Sequence, residues 1–214
     1  MEASLNRLLI ATLGPASVLE GGALLTPSSQ QGVAAVLRIA REHRLPLRLT
    51  SGPGNPVQVP EGGAVLSLAQ LAAIGVDPAR GVVRAEAGAS LAALGVALAE
   101  AGVAVPCLAR APGSGHVGAL VARGQLPRRS LTGIEAVLPG GEPVMVGAPV
   151  LKDVVGYDVT ALLLGSRGRL AAIVAVHLRL APAGAAVEVA EAAGARAVDE
   201  LAGAFDPDGI LARN

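Results

Sequence analysis

The sequence predicts an α+β fold built from two subdomains. Helix and strand patterns alternate up to Glu86, which favours a small α/β layer with partly parallel strands. After Pro112 the strand patterns are joined by tight turns, which favours an antiparallel sheet flanked by helices. We therefore place the two subdomains at residues 1–85 and 86–182, followed by a C-terminal segment at 183–214.

The first predicted subdomain contains a helix that its sequence marks at both ends. Ser29 is a good N-cap, the apolar residues after it recur at the spacing of one helix face, and the pattern ends near His43. Ser90 caps a second helix, which Gly102 stops. Short apolar runs predict strands at 47–49, 64–68 and 82–86.

The second predicted subdomain contains a hairpin. Two apolar runs, 134–138 and 143–146, flank the turn residues Pro-Gly-Gly-Glu at 139–142. A short helix and a long strand follow at 159–164 and 171–180. From Ala186 onward we expect a strand remnant, a helix and a tail that folds back to cover a sheet edge.

Charge and aromatic content argue against nucleic-acid binding. The formal net charge is +0, with 17 basic and 17 acidic residues, and Lys152 is the only lysine. Nucleic-acid binding usually needs a basic face, and single strands also need aromatic stacking platforms. Aromatic residues make up 1% of this chain.

The cysteine content and the hydropathy of the sequence indicate the cellular location that we expect. A single cysteine, Cys107, excludes an intramolecular disulfide framework and a Cys-rich zinc site. The N-terminus lacks the pattern of a secretory signal, and the apolar run near Leu170 is too short to span a bilayer. We expect a cytoplasmic protein without a transmembrane segment.

Three glycine-rich loops are the candidate ligand site: Thr50–Pro56, Gly113–Gly118 and Gly165–Gly168. Glycine permits positive φ and close approach of the backbone to a ligand. Successive N–H groups in such loops form anion sites without a lysine, so a diphosphate is the predicted ligand. The alternative is that each loop is only a tight turn.

The second loop formally matches the Rossmann pattern G-x-G-x-x-G, with Glu135 as a ribose ligand. We reject this interpretation because Pro112, and no hydrophobic strand, precedes the loop, and Gly124 cuts the next helix short. The P-loop pattern also fails, since Ala119 stands where a lysine is required.

The run Val150–Val159, continuing through Leu162–Leu170, reads VLKDVVGYDV and LLLGSRGRL. These motifs resemble the PCMH-type FAD-binding domain of the vanillyl-alcohol oxidase family, and more narrowly the FAD-binding E subunit of bacterial glycolate oxidase. The resemblance covers about residues 25–182 and 203–211, where AFDPDGIL is similar to a closing F-D-P-x-G motif. It implies a cap domain after Pro182, and only about twenty residues stand there, so we expect 183–214 to be the remnant of a lost cap.

The resemblance implies non-covalent FAD between the two subdomains and a set of contacting residues. The first loop supplies Thr50, Ser51, Gly52, Pro53, Gly54, Asn55 and Pro56. The second region supplies Pro106, Gly113, Ser114, Gly115, His116, Val117 and Gly118. The third supplies Lys152, Gly165, Gly168, Ile173 and Val174. No metal ligand and no catalytic base with a convincing partner emerges.

Several side chains keep two interpretations. Cys107 either touches the flavin or is a small buried residue, and His116 either bonds the ligand or shapes its loop. The pair Arg128 and Arg129 either reaches the phosphates or is a solvated or subunit-facing pair. We expect structural roles for His43 and His177, and hydrogen bonds from Tyr157 and Asp158 that fix the turn into the next helix.

The implied function is FAD binding within a 2-hydroxy-acid oxidase or dehydrogenase of the glycolate type, relaying electrons or scaffolding the complex. The implied partners are a catalytic flavoprotein subunit and an iron–sulfur subunit, and a homo-oligomer stays open. Three alternatives remain: a self-sufficient hydroxy-acid dehydrogenase, a structural subunit that has lost FAD, and a protein that binds ATP or NAD instead.

Overall fold

The N-terminal part of the chain forms a four-stranded sheet and one long helix. The computed structural model describes residues 3–52, 57–110, 114–147, 158–184 and 196–211. Helix α1 (Ala3–Leu13) leads into the short antiparallel strands β1 (Val18–Leu19) and β2 (Leu24–Leu25), then α2, β3 and β4. Their bounds are Gln30–His43, Leu47–Thr50 and Ala64–Ser67. The strand order is β1-β2-β4-β3, and β4 runs parallel to both β2 and β3.

The second sheet is antiparallel throughout and has the order β5-β6-β10-β8-β9. Its strands are β5 (Ile74–Asp77), β6 (Val82–Glu86), β8 (Leu131–Val137), β9 (Pro143–Gly147) and β10 (Ala172–Arg179). A separate small pair joins β7 (Val103–Ala104) to β11 (Ala181–Pro182). The remaining helices are α3 (Leu91–Glu100), α4 (Val117–Ala122), α5 (Val159–Leu163) and α6 (Arg196–Phe205). Within the described ranges, no helix is both long and apolar enough to cross a bilayer.

The predicted helix caps and the hairpin are confirmed. The Gly32 N–H donates to Ser29 Oγ at 3.1 Å, and the Ala93 N–H donates to Ser90 Oγ at the same distance. The hairpin turn closes through the Gly141 N–H and the Leu138 carbonyl at 2.8 Å, with Gly141 at φ +88°. This φ lies in the left-handed region, which glycine enters without steric cost.

The boundary between the sheets falls earlier than the predicted subdomain boundary at residue 85. Strand β5 and nearly all of β6 precede that position, yet both pair within the five-stranded sheet. Sequence patterns also missed α1 and β5. The predicted strand remnant after Ala186 begins outside the described residues, whereas α6 agrees with the expected C-terminal helix.

Two hydrophobic clusters meet at β10. One packs α1 and α2 against the four-stranded sheet and includes Val174. The other lies between the five-stranded sheet and α3, α4 and α5, and includes Ile173. Successive side chains of a strand point to opposite faces, so adjacent residues of β10 serve both cores. The two subdomains therefore share this strand.

The C-terminal motif covers the free edge of β3. The buried Asp206 carboxylate accepts hydrogen bonds from the N–H groups of Ile210 (3.0 Å) and Leu211 (2.7 Å). The resulting turn places the Ile210 carbonyl 2.7 Å from the Leu47 N–H, at the start of β3. The expectation that the tail covers a sheet edge is confirmed.

Candidate functional site

A cavity of about 790 Å³ lies between the two subdomains. Its walls come from β3 and the segment after the first loop on one side, and from α4, the third loop and β10 on the other. The residues on the first side include Arg48, Thr50, Ser51, Gln58 and Leu68, and those on the second include Gly118, Ala119, Ala122, Arg123, Arg167, Gly168 and Ile173. This volume suits a bound small molecule or cofactor.

The base of the first loop is held by three hydrogen bonds. Thr50 Oγ1 donates to the Gly52 carbonyl at 3.1 Å, and the Leu68 N–H donates to the Thr50 carbonyl at 2.8 Å. Arg48 Nη1 donates to the Gln58 carbonyl at 2.9 Å, which joins β3 to the chain beyond the loop. The predicted site residues Pro53, Gly54, Asn55 and Pro56 lie outside the described residues.

The second loop packs against the first through His116. A methyl group built at Gly52 would overlap the His116 ring, so the absence of a side chain at Gly52 makes room for the imidazole. His116 also precedes α4 and forms an isolated bridge with Ser90. The predicted residue Gly113 lies outside the described residues, and Ser114 and Gly115 are exposed.

The third loop wraps around the C-terminal end of α4. The Gly165 N–H donates to the Val121 carbonyl at 2.9 Å, and the Arg167 N–H donates to the Ala122 carbonyl at 2.8 Å. Gly168 has a φ of +73° and lines the cavity. Lys152, predicted to act near this loop, lies outside the described residues.

Several loop amides are already engaged by the protein itself. Besides the Gly165 and Arg167 amides, the Val117 N–H donates to the Ala89 carbonyl at 3.0 Å and the Gly118 N–H to the Ala87 carbonyl at 2.9 Å. In this conformation, these four amides do not face a ligand. At Gly118, an added Cβ would lie 2.8 Å from the Ala87 Cβ, so this glycine allows close packing of α4 against the chain after β6.

The structure brings together only part of the predicted site. Thr50, Ser51, Gly118, Gly168 and Ile173 meet at the cavity. Pro106 and Val174 are not among the cavity-lining residues, and Val174 belongs to the core around the four-stranded sheet. Sequence reasoning missed six lining residues on β3, at α4 and on the third loop: Arg48, Leu49, Ala119, Ala122, Arg123 and Arg167. Their closeness to the predicted glycines is the one signal that pointed to them.

Arg128 and Asp158 form a bidentate ion pair. Arg128 Nε lies 2.7 Å from Asp158 Oδ2, and Arg128 Nη2 lies 2.7 Å from Asp158 Oδ1. The hydrogen bond from Arg128 holds the pKa of the Asp158 carboxyl below its ordinary value. Asp158 also accepts from the Ala161 N–H at 3.2 Å, which confirms its predicted role at the start of α5. The guanidinium of Arg128 is thus bound to a carboxylate of the same chain.

A second charged cluster lies on the five-stranded sheet. Glu135 on β8 receives two 2.7 Å hydrogen bonds from Arg84 on β6, and His177 Nε2 on β10 lies 2.8 Å from the same carboxylate. These contacts, the Arg84 hydrogen bond first, lower the pKa of the Glu135 carboxyl. The structural role expected for His177 agrees with this cluster, as does the rejection of Glu135 as a ribose ligand. Cys107 is buried in the core beneath α3 and α4.

Comparison with known proteins gives the family. A family model described as an FAD binding domain matches residues 22–147, which is more than half of the chain. The chain belongs to this family of FAD-binding domains. The alkyldihydroxyacetonephosphate synthase structure superimposes with a TM-score of 0.69 over 87% of this chain and 41% of that one, at 14% identity, and shows the same fold.

Individual relatives are oxidoreductases of hydroxy acids by name. The chain is 31% identical to D-lactate dehydrogenase of Archaeoglobus fulgidus over 76% of this chain and 39% of the relative. It is 32% identical to mitochondrial D-2-hydroxyglutarate dehydrogenase of Bos taurus over 78% of this chain and 33% of the relative. It is 38% identical to glycolate oxidase subunit GlcD of Bacillus subtilis over 55 residues, which are 26% of this chain and 12% of the relative. The chain thus spans little more than a third of the length of the first two relatives.

The predicted PCMH-type fold and the predicted cofactor are therefore confirmed: this is an FAD-binding domain, and FAD is its cofactor. The cavity fits that cofactor in two respects. Its volume is adequate for a large part of a dinucleotide, and Gly168, whose φ is +73°, lines its wall without a side chain.

Proposed function

We propose that the chain holds FAD non-covalently in the cavity between its subdomains and serves as the FAD-binding part of a 2-hydroxy-acid oxidase or dehydrogenase of the glycolate type. The observation that carries this proposal is the meeting of the first loop, the start of α4, the third loop and β10 around one space. These segments lie far apart in the sequence, and only the fold unites them. We also propose that the chain consists of two subdomains followed by a C-terminal segment at 183–214, with the boundary between the subdomains ahead of β5, which pairs with β6 in the second sheet.

The contribution of this chain would be binding and orientation of the flavin. When bound, FAD supplies a ring that accepts a hydride from a hydroxy acid. Oxidation also needs a base for the hydroxyl proton and a clamp for the substrate carboxylate. Among the described residues that line the cavity, none is a histidine or a carboxylate. We therefore propose that another polypeptide segment builds the substrate pocket.

The proposed partners are a catalytic flavoprotein subunit and an iron–sulfur subunit, with this chain relaying electrons between them or scaffolding the complex. The local similarity to a glycolate oxidase subunit supports this arrangement. A cytoplasmic location accords with it. The second candidate is a self-sufficient hydroxy-acid dehydrogenase, which the broader similarity to D-lactate dehydrogenase favours.

Cofactor reconstitution tests the binding proposal. The purified chain is mixed with FAD, passed through gel filtration, and its visible spectrum is recorded. We expect a co-eluting flavin spectrum for the wild type and its loss in Ala122→Leu, whose larger side chain enters the cavity from α4. Ala99→Leu, on the exposed side of α3, is the matched control and should retain FAD. A colourless wild type would overturn the proposal.

Flavin bleaching separates the two candidate functions. FAD-loaded chain is mixed with glycolate, D-lactate or D-2-hydroxyglutarate under anaerobic conditions. Loss of flavin absorbance with one of these acids would identify a self-sufficient dehydrogenase. Retained absorbance with the isolated chain, followed by bleaching once a catalytic flavoprotein subunit is added, is the result expected for a component of a complex.

A further inference from the structure

The described lining of the cavity contains three arginines, although the protein as a whole is neutral. Arg48, Arg123 and Arg167 line it, and none of the described lining residues is Asp or Glu. The formal net charge of the chain is +0. An uneven distribution of this kind concentrates positive potential at one place, and low-dielectric walls strengthen it. The cavity is therefore suited to an anionic ligand group.

The fold fixes two of these arginines side by side on the wall contributed by the second subdomain. The Arg167 N–H donates to the carbonyl of Ala122, the residue that immediately precedes Arg123. Arg48 lies across the cavity on β3, where its bond to the Gln58 carbonyl fixes the guanidinium. Three segments remote in sequence thus each place an arginine at one space.

The backbone at Arg167 is unusual for an arginine. Its φ is +55°, and it lies between Gly165 at +83° and Gly168 at +73°. Glycine would adopt this conformation without steric cost, whereas it is uncommon for a residue with a side chain. Uncommon backbone conformations of this kind cluster at ligand sites. Glu20 and Arg44 also have positive φ values, +52° and +51°, and of these three described residues only Arg167 lines the cavity.

We propose that Arg123 and Arg167, with Arg48 opposite them, form a cationic rim that neutralises the phosphate groups of bound FAD, an inference that rests on FAD occupying this cavity. Guanidinium groups bind phosphate oxygens through charge-assisted hydrogen bonds, which are often bidentate. The amides of Val117, Gly118, Gly165 and Arg167 already donate to protein carbonyls, so side chains take over part of the role first assigned to the backbone. Affinity then comes largely from the phosphate-bearing half of the dinucleotide.

Two substitutions test the rim without disturbing the first loop. Arg167→Gly removes the charge and relieves the positive φ, and Arg123→Gln removes the second charge at the end of α4. Arg80→Gln is the control, because Arg80 is 71% exposed on the β5–β6 turn and pairs with Asp77. Arg48 is left intact, since its loss would also free the base of the first loop.

Equilibrium dialysis with FAD measures the effect, and circular dichroism and thermal melting check the fold of each variant. We expect the double variant to bind FAD at least tenfold more weakly than the wild type, with Arg80→Gln unchanged. ADP should displace FAD from the wild type, and riboflavin, which lacks phosphate, should not. Raising the salt concentration should weaken wild-type binding and affect the double variant much less, because ions screen the rim.

The outcomes separate the two proposals. A wild type that binds no FAD removes the proposed function and this inference together. A wild type that binds FAD, with a folded double variant of equal affinity and equal salt dependence, overturns the arginine rim and leaves the proposed function in place. If the double variant does not fold, an unchanged wild-type affinity between low salt and about 1 M salt overturns the rim by itself.

Discussion

At the scale of single residues, the contact between Gly52 and His116 joins the first loop to the second. No other residue than glycine fits at position 52 unless the imidazole moves, because a Cβ there would occupy the position of the ring. His116 thus shapes the site through packing, which is one of the two roles that its sequence position left open. The contact joins the first loop, next to the cavity-lining Ser51, to the residue that precedes α4.

A small-to-large substitution tests this contact. Gly52→Ala should lower the free energy of unfolding by about 1–3 kcal/mol, as overpacking does in a filled site. The double variant Gly52→Ala/His116→Ala should recover most of that loss, since the alanine then meets no ring. Urea denaturation measures both. Gly95→Ala on α3 meets nothing within 4 Å, so this control should instead stabilise the protein slightly. An equal loss with and without the His116 ring would contradict the contact.

Glu135 makes a contribution to the free energy of unfolding that is lost in acid. Its carboxyl pKa is lowered from the ordinary 4.5, first by the hydrogen bond from Arg84 and also by His177. A carboxyl with a depressed pKa stabilises the folded state above its unfolded-state pKa, and that contribution is lost as the pH falls through the folded-state pKa. We therefore expect wild-type stability to be insensitive to this group above about pH 5 and to decrease below pH 4.5.

The variant Glu135→Gln isolates this contribution. At pH 7 it should lose about 1–3 kcal/mol of unfolding free energy, because Arg84 and His177 then lack a charged acceptor. Its stability should decline less steeply in acid, although the depressed pKa of Asp158 leaves some decline. Urea denaturation at a series of pH values provides the measurement, with the exposed Glu100→Gln as control. Parallel pH profiles for the wild type and Glu135→Gln would refute the assignment.

At the scale of elements, β3 is an edge strand whose free side the C-terminal turn covers. Strand edges expose unpaired backbone groups, and proteins commonly cover them. Here the cover depends on Asp206, whose carboxylate organises the turn that places Ile210 beside Leu47. Arg48 and Thr50 of the same strand line the cavity. The C-terminal turn therefore stabilises a strand that forms one wall of the site.

Two neighbouring aspartates provide a matched test of this turn. Asp206→Asn replaces an acceptor with an NH₂ group facing the N–H of Ile210 or Leu211, and should lower the unfolding free energy by about 1–3 kcal/mol. Asp208→Asn breaks an ion pair with Arg41 whose side chains are 44% and 51% exposed, and should cost about 1 kcal/mol or less. Thermal and urea unfolding measure both. A larger loss in Asp208→Asn than in Asp206→Asn would show that the turn depends on the ion pair.

At the scale of the whole molecule, the proposed site requires both subdomains, because its two walls belong to different sheets and their connecting segments. A ligand that binds only the folded state stabilises it by mass action. FAD at one hundred times its dissociation constant should therefore raise the unfolding free energy by about 2.7 kcal/mol. Riboflavin at the same concentration is the control and should have little effect.

Hydrogen exchange with and without FAD locates this stabilisation. Protection is expected both in β3 and in α4, which lie on opposite walls of the cavity. Protection confined to one of them would contradict a site shared between the subdomains. We also expect the protein to unfold in a single cooperative transition, because β10 contributes side chains to both cores.

Local signals in the sequence determined several of the helices and strands, and the family motifs. The apolar spacing after Ser29 and the cap at Ser90 predicted α2 and α3, because a helix is specified by residues within a few turns of one another. The Pro-Gly-Gly-Glu turn predicted the β8–β9 hairpin for the same reason. The glycine-rich loops and the motif after Val150 predicted the cofactor.

Tertiary structure alone decided which sheet each strand joins and which side chains line the cavity. Strand β6 pairs with β10, far along the chain, and no local pattern in β5 or β6 encodes that partner. Arg48, Arg123 and Arg167 come from three separate segments, and each alone looks like an ordinary surface arginine. The periodicity of a sequence shows which face of a helix or strand is apolar. A binding cavity depends instead on how elements that are distant in the sequence pack together. This packing is fixed only when the two hydrophobic cores form around β10.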